Sequence, residues 1–172
     1  MKTPYLLILL GFLVSAQAAS YETPQRCLKP PAVGPCKAKH GMWYYDPSKK
    51  ACKGFIYGGC KGNSNRFGSE VKCQQTCLPG APLKPVCSLK PAKGPCKARV
   101  FSWAYDSAAD RCRLFVYGGC KGNANNFRNC IECMDRCSGK ESKKAMKLCF
   151  KLTAREMKKY GIVRHPVVEG PE

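Results

Sequence analysis

The chain has 172 residues, 14 of them cysteine, and 30 Lys and Arg against 11 Asp and Glu give it a net charge of +19. Only two histidines occur, His40 and His165, and neither sits in a recognisable nucleophile or metal constellation, which excludes an enzyme or metal centre of familiar type. The basic excess runs along the whole chain, so it serves solubility and favours acidic partners in a salt-dependent way.

Residues 1–18 read as a secretory signal peptide: Lys2, an apolar run from Tyr5 to Val14, and small residues ending at Ala18. The run is too short to span a membrane, which takes roughly 20 residues. A secreted, extracellular destination is oxidising, so the even cysteine count reads as disulfides.

Cys27, Cys36, Cys52, Cys60, Cys73 and Cys77 recur sixty positions later as Cys87, Cys96, Cys112, Cys120, Cys133 and Cys137. The segments between them recur too, with Gly34-Pro35-Cys36-Lys37-Ala38 matched by Gly94-Pro95-Cys96-Lys97-Ala98 and Tyr57-Gly58-Gly59-Cys60 by Tyr117-Gly118-Gly119-Cys120. One module therefore occurs twice, over residues 22–78 and 87–138. A unit this small buries too little apolar area to fold unaided, and disulfides of about 2 to 4 kcal/mol each supply the difference. Spacing alone leaves 15 pairings open for each set of six.

Within each module, Trp43-Tyr44-Tyr45 or Trp103-Ala104-Tyr105 leads to a turn at Asp46-Pro47 or Asp106-Ser107, and a second aromatic and β-branched run ends at Tyr57 or Tyr117. This predicts a β-hairpin. The last cysteine pair follows Ser69 or Asn129, both good N-caps, and predicts a short helix. Residues 79–86 carry three prolines, which predicts an extended, moderately stiff spacer between separate beads.

Residues 139–172 form a basic tail. Ser138 and Glu141 have capping-box spacing before a stretch free of Gly and Pro up to Gly161. On a helix, Ala145, Met146, Leu148, Cys149, Leu152, Met157 and Tyr160 share an apolar face expected to dock on the neighbouring module. Lys143, Lys144, Lys147, Lys151, Arg155, Lys158 and Lys159 form a candidate polyanion-binding set for sulfated polysaccharide or an anionic surface. Cys130 and Cys149 lie outside the repeated framework, and an intramolecular bridge between them would staple the tail to the second module; a covalent dimer or a free thiol are the rivals.

The cysteine intervals, the Gly-Pro-Cys-Lys-Ala and Tyr-Gly-Gly-Cys segments, and Phe67 and Phe127 together resemble the Kunitz family of pancreatic-trypsin-inhibitor type. The resemblance implies a small disulfide-rich α+β fold, with a twisted hairpin and a short C-terminal helix in each of two domains. It implies the pairs Cys27 with Cys77, Cys36 with Cys60, Cys52 with Cys73, Cys87 with Cys137, Cys96 with Cys120, and Cys112 with Cys133. It also implies a secreted, reversible inhibitor of trypsin-like serine proteases, with no cofactor, no nucleic-acid partner and a monomeric state expected. Lys37 and Lys97 then enter the primary specificity pocket, and the reactive bonds are Lys37–Ala38 and Lys97–Ala98. The surrounding binding loops are Gly34, Pro35, Cys36, Lys39 and His40 with Ile56, Gly58 and Gly59 in the first module. In the second they are Gly94, Pro95, Cys96, Arg99, Val100 and Phe101 with Val116, Gly118 and Gly119.

Val100 and Phe101 offer apolar area beyond the second lysine where Gly41 offers none and loosens the backbone, which predicts tighter binding by the second module. An ion-channel-blocking toxin of Kunitz type is the alternative from another class, and a polyanion or membrane-surface protein is a third.

Overall fold

The structure is a computed structural model and describes residues 22–162. The expected signal peptide therefore lies outside the described residues, as does most of the tail beyond α3. Among the described residues, no helix is long and apolar enough to cross a membrane.

Each module is a two-stranded antiparallel hairpin closed by one short helix. Strand β1 (His40–Asp46) pairs with β2 (Ala51–Tyr57), and α1 (Glu70–Cys77) follows; β3 (Val100–Asp106) pairs with β4 (Arg111–Tyr117), and α2 (Cys130–Cys137) follows. The aromatic runs form strands because alternate large side chains pack on one side of the pleat. Trp43 and Trp103 are buried, and each exchanges backbone hydrogen bonds with Phe67 or Phe127 across a third short edge. The Ser69 hydroxyl accepts from the Lys72 N–H (3.1 Å) and the Asn129 side chain from the Glu132 N–H (2.8 Å), which caps both helices.

Seven disulfides brace the chain: Cys27–Cys77, Cys36–Cys60, Cys52–Cys73, Cys87–Cys137, Cys96–Cys120, Cys112–Cys133 and Cys130–Cys149. The last ties α3 (Ser142–Lys159) to α2. Ala145, Cys149 and Leu152 are buried beneath α3, and Tyr160 meets Phe101 edge-on at 5.5 Å between ring centroids.

The structure differs from the sequence reading in four respects. The modules are docked rather than separate. Trp43 of the first stands edge-on to Tyr105 of the second (6.3 Å), the Gly139 N–H donates to the Gly54 carbonyl (2.8 Å), and Lys49 pairs with Asp135 (3.1 Å). Nor is the spacer free. The fully buried Glu70 carboxylate accepts from the Val86 N–H and from the Ser88 N–H and hydroxyl, while Gln74 exchanges two hydrogen bonds with the Lys84 backbone. Further, the Ser138–Glu141 capping box does not form: Ser138 ends α2, its hydroxyl donates to Asp110 (2.8 Å), and α3 starts only after Glu141. On α3 itself Met146 is exposed while Glu156 is buried, so the apolar face is narrower than the periodicity suggested.

Candidate functional site

Lys37 and Lys97 lie on exposed segments, Pro35–Gly41 and Pro95–Val100, at the same end of each module as the Gly-Gly segment. Three restraints hold each loop against that segment. The Cys36–Cys60 and Cys96–Cys120 bridges set Cα separations of 5.7 and 5.6 Å. The Ala38 N–H donates to the Gly58 carbonyl (2.9 Å) and the Ala98 N–H to Gly118 (3.0 Å). The Gly58 and Gly118 N–H groups donate to Val33 and Lys93 (2.8 Å each), closing the ladder on the other flank.

The N–H and C=O of a trans peptide point in opposite directions. Holding the Ala38 N–H inward therefore turns the Lys37 carbonyl outward, where an attacking group can reach it, and Ala98 does the same for Lys97. Glycine is required where the two segments meet. Gly34 (φ 76°) and Gly94 (φ 74°) sit in the left-handed region, and a Cβ on either would overlap the Cys60 or Cys120 carbonyl. A Cβ on Gly58 or Gly118 would likewise overlap the Cys36 or Cys96 carbonyl.

Of the other site residues, Cys36, Lys39, His40, Cys96 and Arg99 are exposed on the loops. Ile56 and Val116 stand half-buried opposite Gly41 and Phe101, and Gly59 and Gly119 are exposed beside Ala38 and Ala98. Phe101 does not offer its ring freely, because Tyr160 of α3 covers it, whereas Val100 remains exposed. Gly41 is not a loose point either: it is paired within β1 and packed against the second module.

Two residues that carry each loop's base were not singled out from sequence. Asn65, fully buried, accepts from the Tyr45 N–H and donates to the Cys27, Lys29 and Tyr45 carbonyls. Asn125 likewise accepts from the Tyr105 N–H and donates to the Leu89 and Tyr105 carbonyls. These side chains satisfy backbone groups that the hairpin leaves unpaired, and so fix the chain leading into each loop. The signal was available: Asn63 and Asn65 before Phe67 repeat as Asn123 and Asn125 before Phe127.

On the tail, Lys143, Lys144, Lys147, Lys151 and Lys158 are exposed, with Lys144 close to Glu141 (3.7 Å). Arg155 turns instead to Glu156 (3.0 Å), and the Lys159 ammonium lies over the Tyr160 ring (5.4 Å to its centroid). Among the described residues no cluster of His, Cys, Asp or Glu could hold a metal ion.

Two copies of a disulfide-braced hairpin and helix, each presenting a lysine on a tethered exposed loop, define a tandem of small loop-presenting modules. The Kunitz/bovine pancreatic trypsin inhibitor domain matches residues 26–78 and 86–138, and the chain belongs to that family, whose members are inhibitors rather than enzymes. It is 46% identical to Amblin of Amblyomma hebraeum over 155 residues, covering 88% of this chain and 92% of that one. It is 43% identical to the Kunitz-type serine protease inhibitor bitisilin-3 of Bitis gabonica over 111 residues, 64% of this chain and 70% of that protein. Over 127 residues it is 40% identical to the carboxypeptidase inhibitor SmCI of Sabellastarte magnifica, with coverages of 70% and 76%.

Proposed function

We propose that the protein is a secreted, reversible inhibitor of trypsin-like serine proteases that inserts Lys37 and Lys97 into their primary specificity pockets. The observation that supports this best is the repeated tethered lysine, exposed at the same place in both modules with its carbonyl turned outward. A long cation suits a pocket with an aspartate at its base.

Restraint explains why such a loop blocks the enzyme and is not consumed. The loop is already shaped by its bridge and ladder, so binding orders little. If the peptide is cut, Cys36–Cys60 and the Ala38-to-Gly58 hydrogen bond keep the new amine beside the acyl group. Effective molarities that can reach about 10⁵ M or more then favour resealing over release. The charge on each loop is wholly basic, with Lys39 beside Lys37 and Arg99 beside Lys97, which speeds encounter with acidic enzyme surfaces.

An inhibition panel covering digestive, clotting and fibrinolytic serine proteases and a carboxypeptidase, run with Lys37→Ala and Lys97→Ala, tests this reading. Each single variant is expected to keep one working site. With Phe101 engaged by Tyr160, Val100 is the apolar side chain free on the second loop, and the site at Lys97 is expected to be the tighter. Equal loss of all enzymes on changing either lysine alone would contradict two independent sites.

Six exposed lysines on α3 favour a second reading, in which the tail holds a sulfated polysaccharide. Lys147→Glu with Lys151→Glu is then expected to lower the salt concentration that elutes the protein from heparin, and unchanged elution would remove the reading.

A further inference from the structure

The first reactive loop is in contact with the second module. A Cβ placed on Gly41 would stand 2.8 Å from the Ser107 carbonyl and 3.7 Å from the Ala108 Cα, both in the turn between β3 and β4. No side chain fits there, so glycine at this position is the mark of a close approach between modules. The equivalent position in the second module, sixty residues on, is Phe101.

The turn is held rigidly. Asp110, buried at its end, accepts from the Tyr105 hydroxyl and the Ser138 hydroxyl (2.8 Å each) and pairs with Lys140. Gly139, between Ser138 and Lys140, hydrogen-bonds Gly54 of the first module and packs on Tyr44. Gly54 in turn leaves room for Tyr105, where the second module has Leu114. The turn's tip is small: Ala108 and Ala109 replace the Ser48 and Lys49 of the first module.

Gly41 lies four residues beyond Lys37, at most about 14 Å along an extended chain. A standard protease–inhibitor interface covers about 800 Å² per partner, equivalent to a disc of about 16 Å radius. The turn therefore falls at the edge of the footprint of any enzyme holding Lys37, on its leaving-group side.

We propose that the first inhibitory site is composite: an enzyme that takes Lys37 also meets the Ser107–Ala109 turn of the second module, and this turn determines which trypsin-like enzymes the site accepts. The proposal rests on Lys37 being the inserted residue. The turn excludes enzymes whose leaving-group rim projects and admits those whose rim is open, a selection by steric conflict that the loop sequence alone does not encode. Ala108 sits at the far end of its own hairpin from Lys97, seven strand residues or about 23 Å away, so it has no such role in the second site.

The test is Ala108→Trp in the full chain, measured against trypsin in two backgrounds. With Lys97→Ala, leaving only the first site, inhibition is expected to weaken by about tenfold or more. With Lys37→Ala, leaving only the second, it is expected to stay within about twofold, which also shows that the chain folds. An unchanged first site, or equal weakening of both, overturns the composite site. If the Lys97→Ala chain fails to inhibit before the turn is touched, Lys37 is not an inserted residue, and the composite site falls with that reading.

Discussion

Opening the Cys130–Cys149 bridge asks how much of the tail's order is covalent. Alanine is the better replacement at both positions, because they are 3% and 2% exposed and a serine hydroxyl there would add its own desolvation cost. The bridge closes a sequence separation of 19, worth about 3 kcal/mol in the chain-entropy relation, or about 150-fold in an opening equilibrium. What remains under α3 is chiefly Ala145 and Leu152, with the partly buried Leu148 and the Tyr160–Phe101 contact. A buried leucine contributes about 1.5 to 3 kcal/mol, against the cost of ordering an 18-residue helix that is marginal in water by itself. α3 should therefore open locally while the second module stays folded. Amide hydrogen exchange on Cys130→Ala/Cys149→Ala is expected to quicken by about 150-fold across Ser142–Lys159 and to change little in β3 and β4. Unchanged protection of α3 would refute the reasoning, as would loosening of the whole module in step with it.

Asn125→Ala removes the acceptor for the Tyr105 N–H and the donor for two carbonyls, and leaving buried backbone groups unpaired should cost about 2 to 4 kcal/mol by denaturant unfolding. A loss under 0.5 kcal/mol, roughly that of a surface change, would contradict its place in the fold. Tyr44 is pushed up to about 12 chiefly by burial, with the Asp46 and Asp110 charges adding to it, and burial pushes Tyr105 higher still. A raised phenol favours the folded state fully below the unfolded value of about 10, and that contribution fades as pH rises towards the folded value. Stability should therefore fall between about pH 10 and pH 12, and absorbance titration of the folded protein should leave Tyr44 and Tyr105 un-ionised near pH 11. Complete tyrosine ionisation by about pH 11 with the fold intact would contradict the buried positions.

The framework was legible because it is written twice: the cysteine intervals, the hairpin runs and the N-caps at Ser69 and Asn129 depend on local chemistry repeated at a fixed offset. The docking of the modules was not, because it lies in the departures from the repeat. Gly41 against Phe101 and Gly54 against Leu114 are the positions where the first module makes room for the second, and a single module gives no reason for them. Glu70 and Cys130 make the same point. They occupy equivalent positions at the start of α1 and α2, and each ties down the segment that follows, one by hydrogen bonds to Val86 and Ser88 and the other by a disulfide to α3. The three prolines of the spacer say nothing of the carboxylate that holds its end. On the tail, helical periodicity located α3 but put Met146 inside and left Glu156 out, because the docking face is set by where Cys149 must reach Cys130.

The inhibition constant of the Lys37→Ala/Lys97→Ala double variant against trypsin tests most directly whether the two tethered lysines are the inhibitory groups. Removing the cation from both pockets is expected to weaken inhibition by at least about a hundredfold while thermal stability is preserved, since both side chains are exposed in the free protein. A double variant that inhibits as well as the parent chain would show that the loops are not where the enzyme is held.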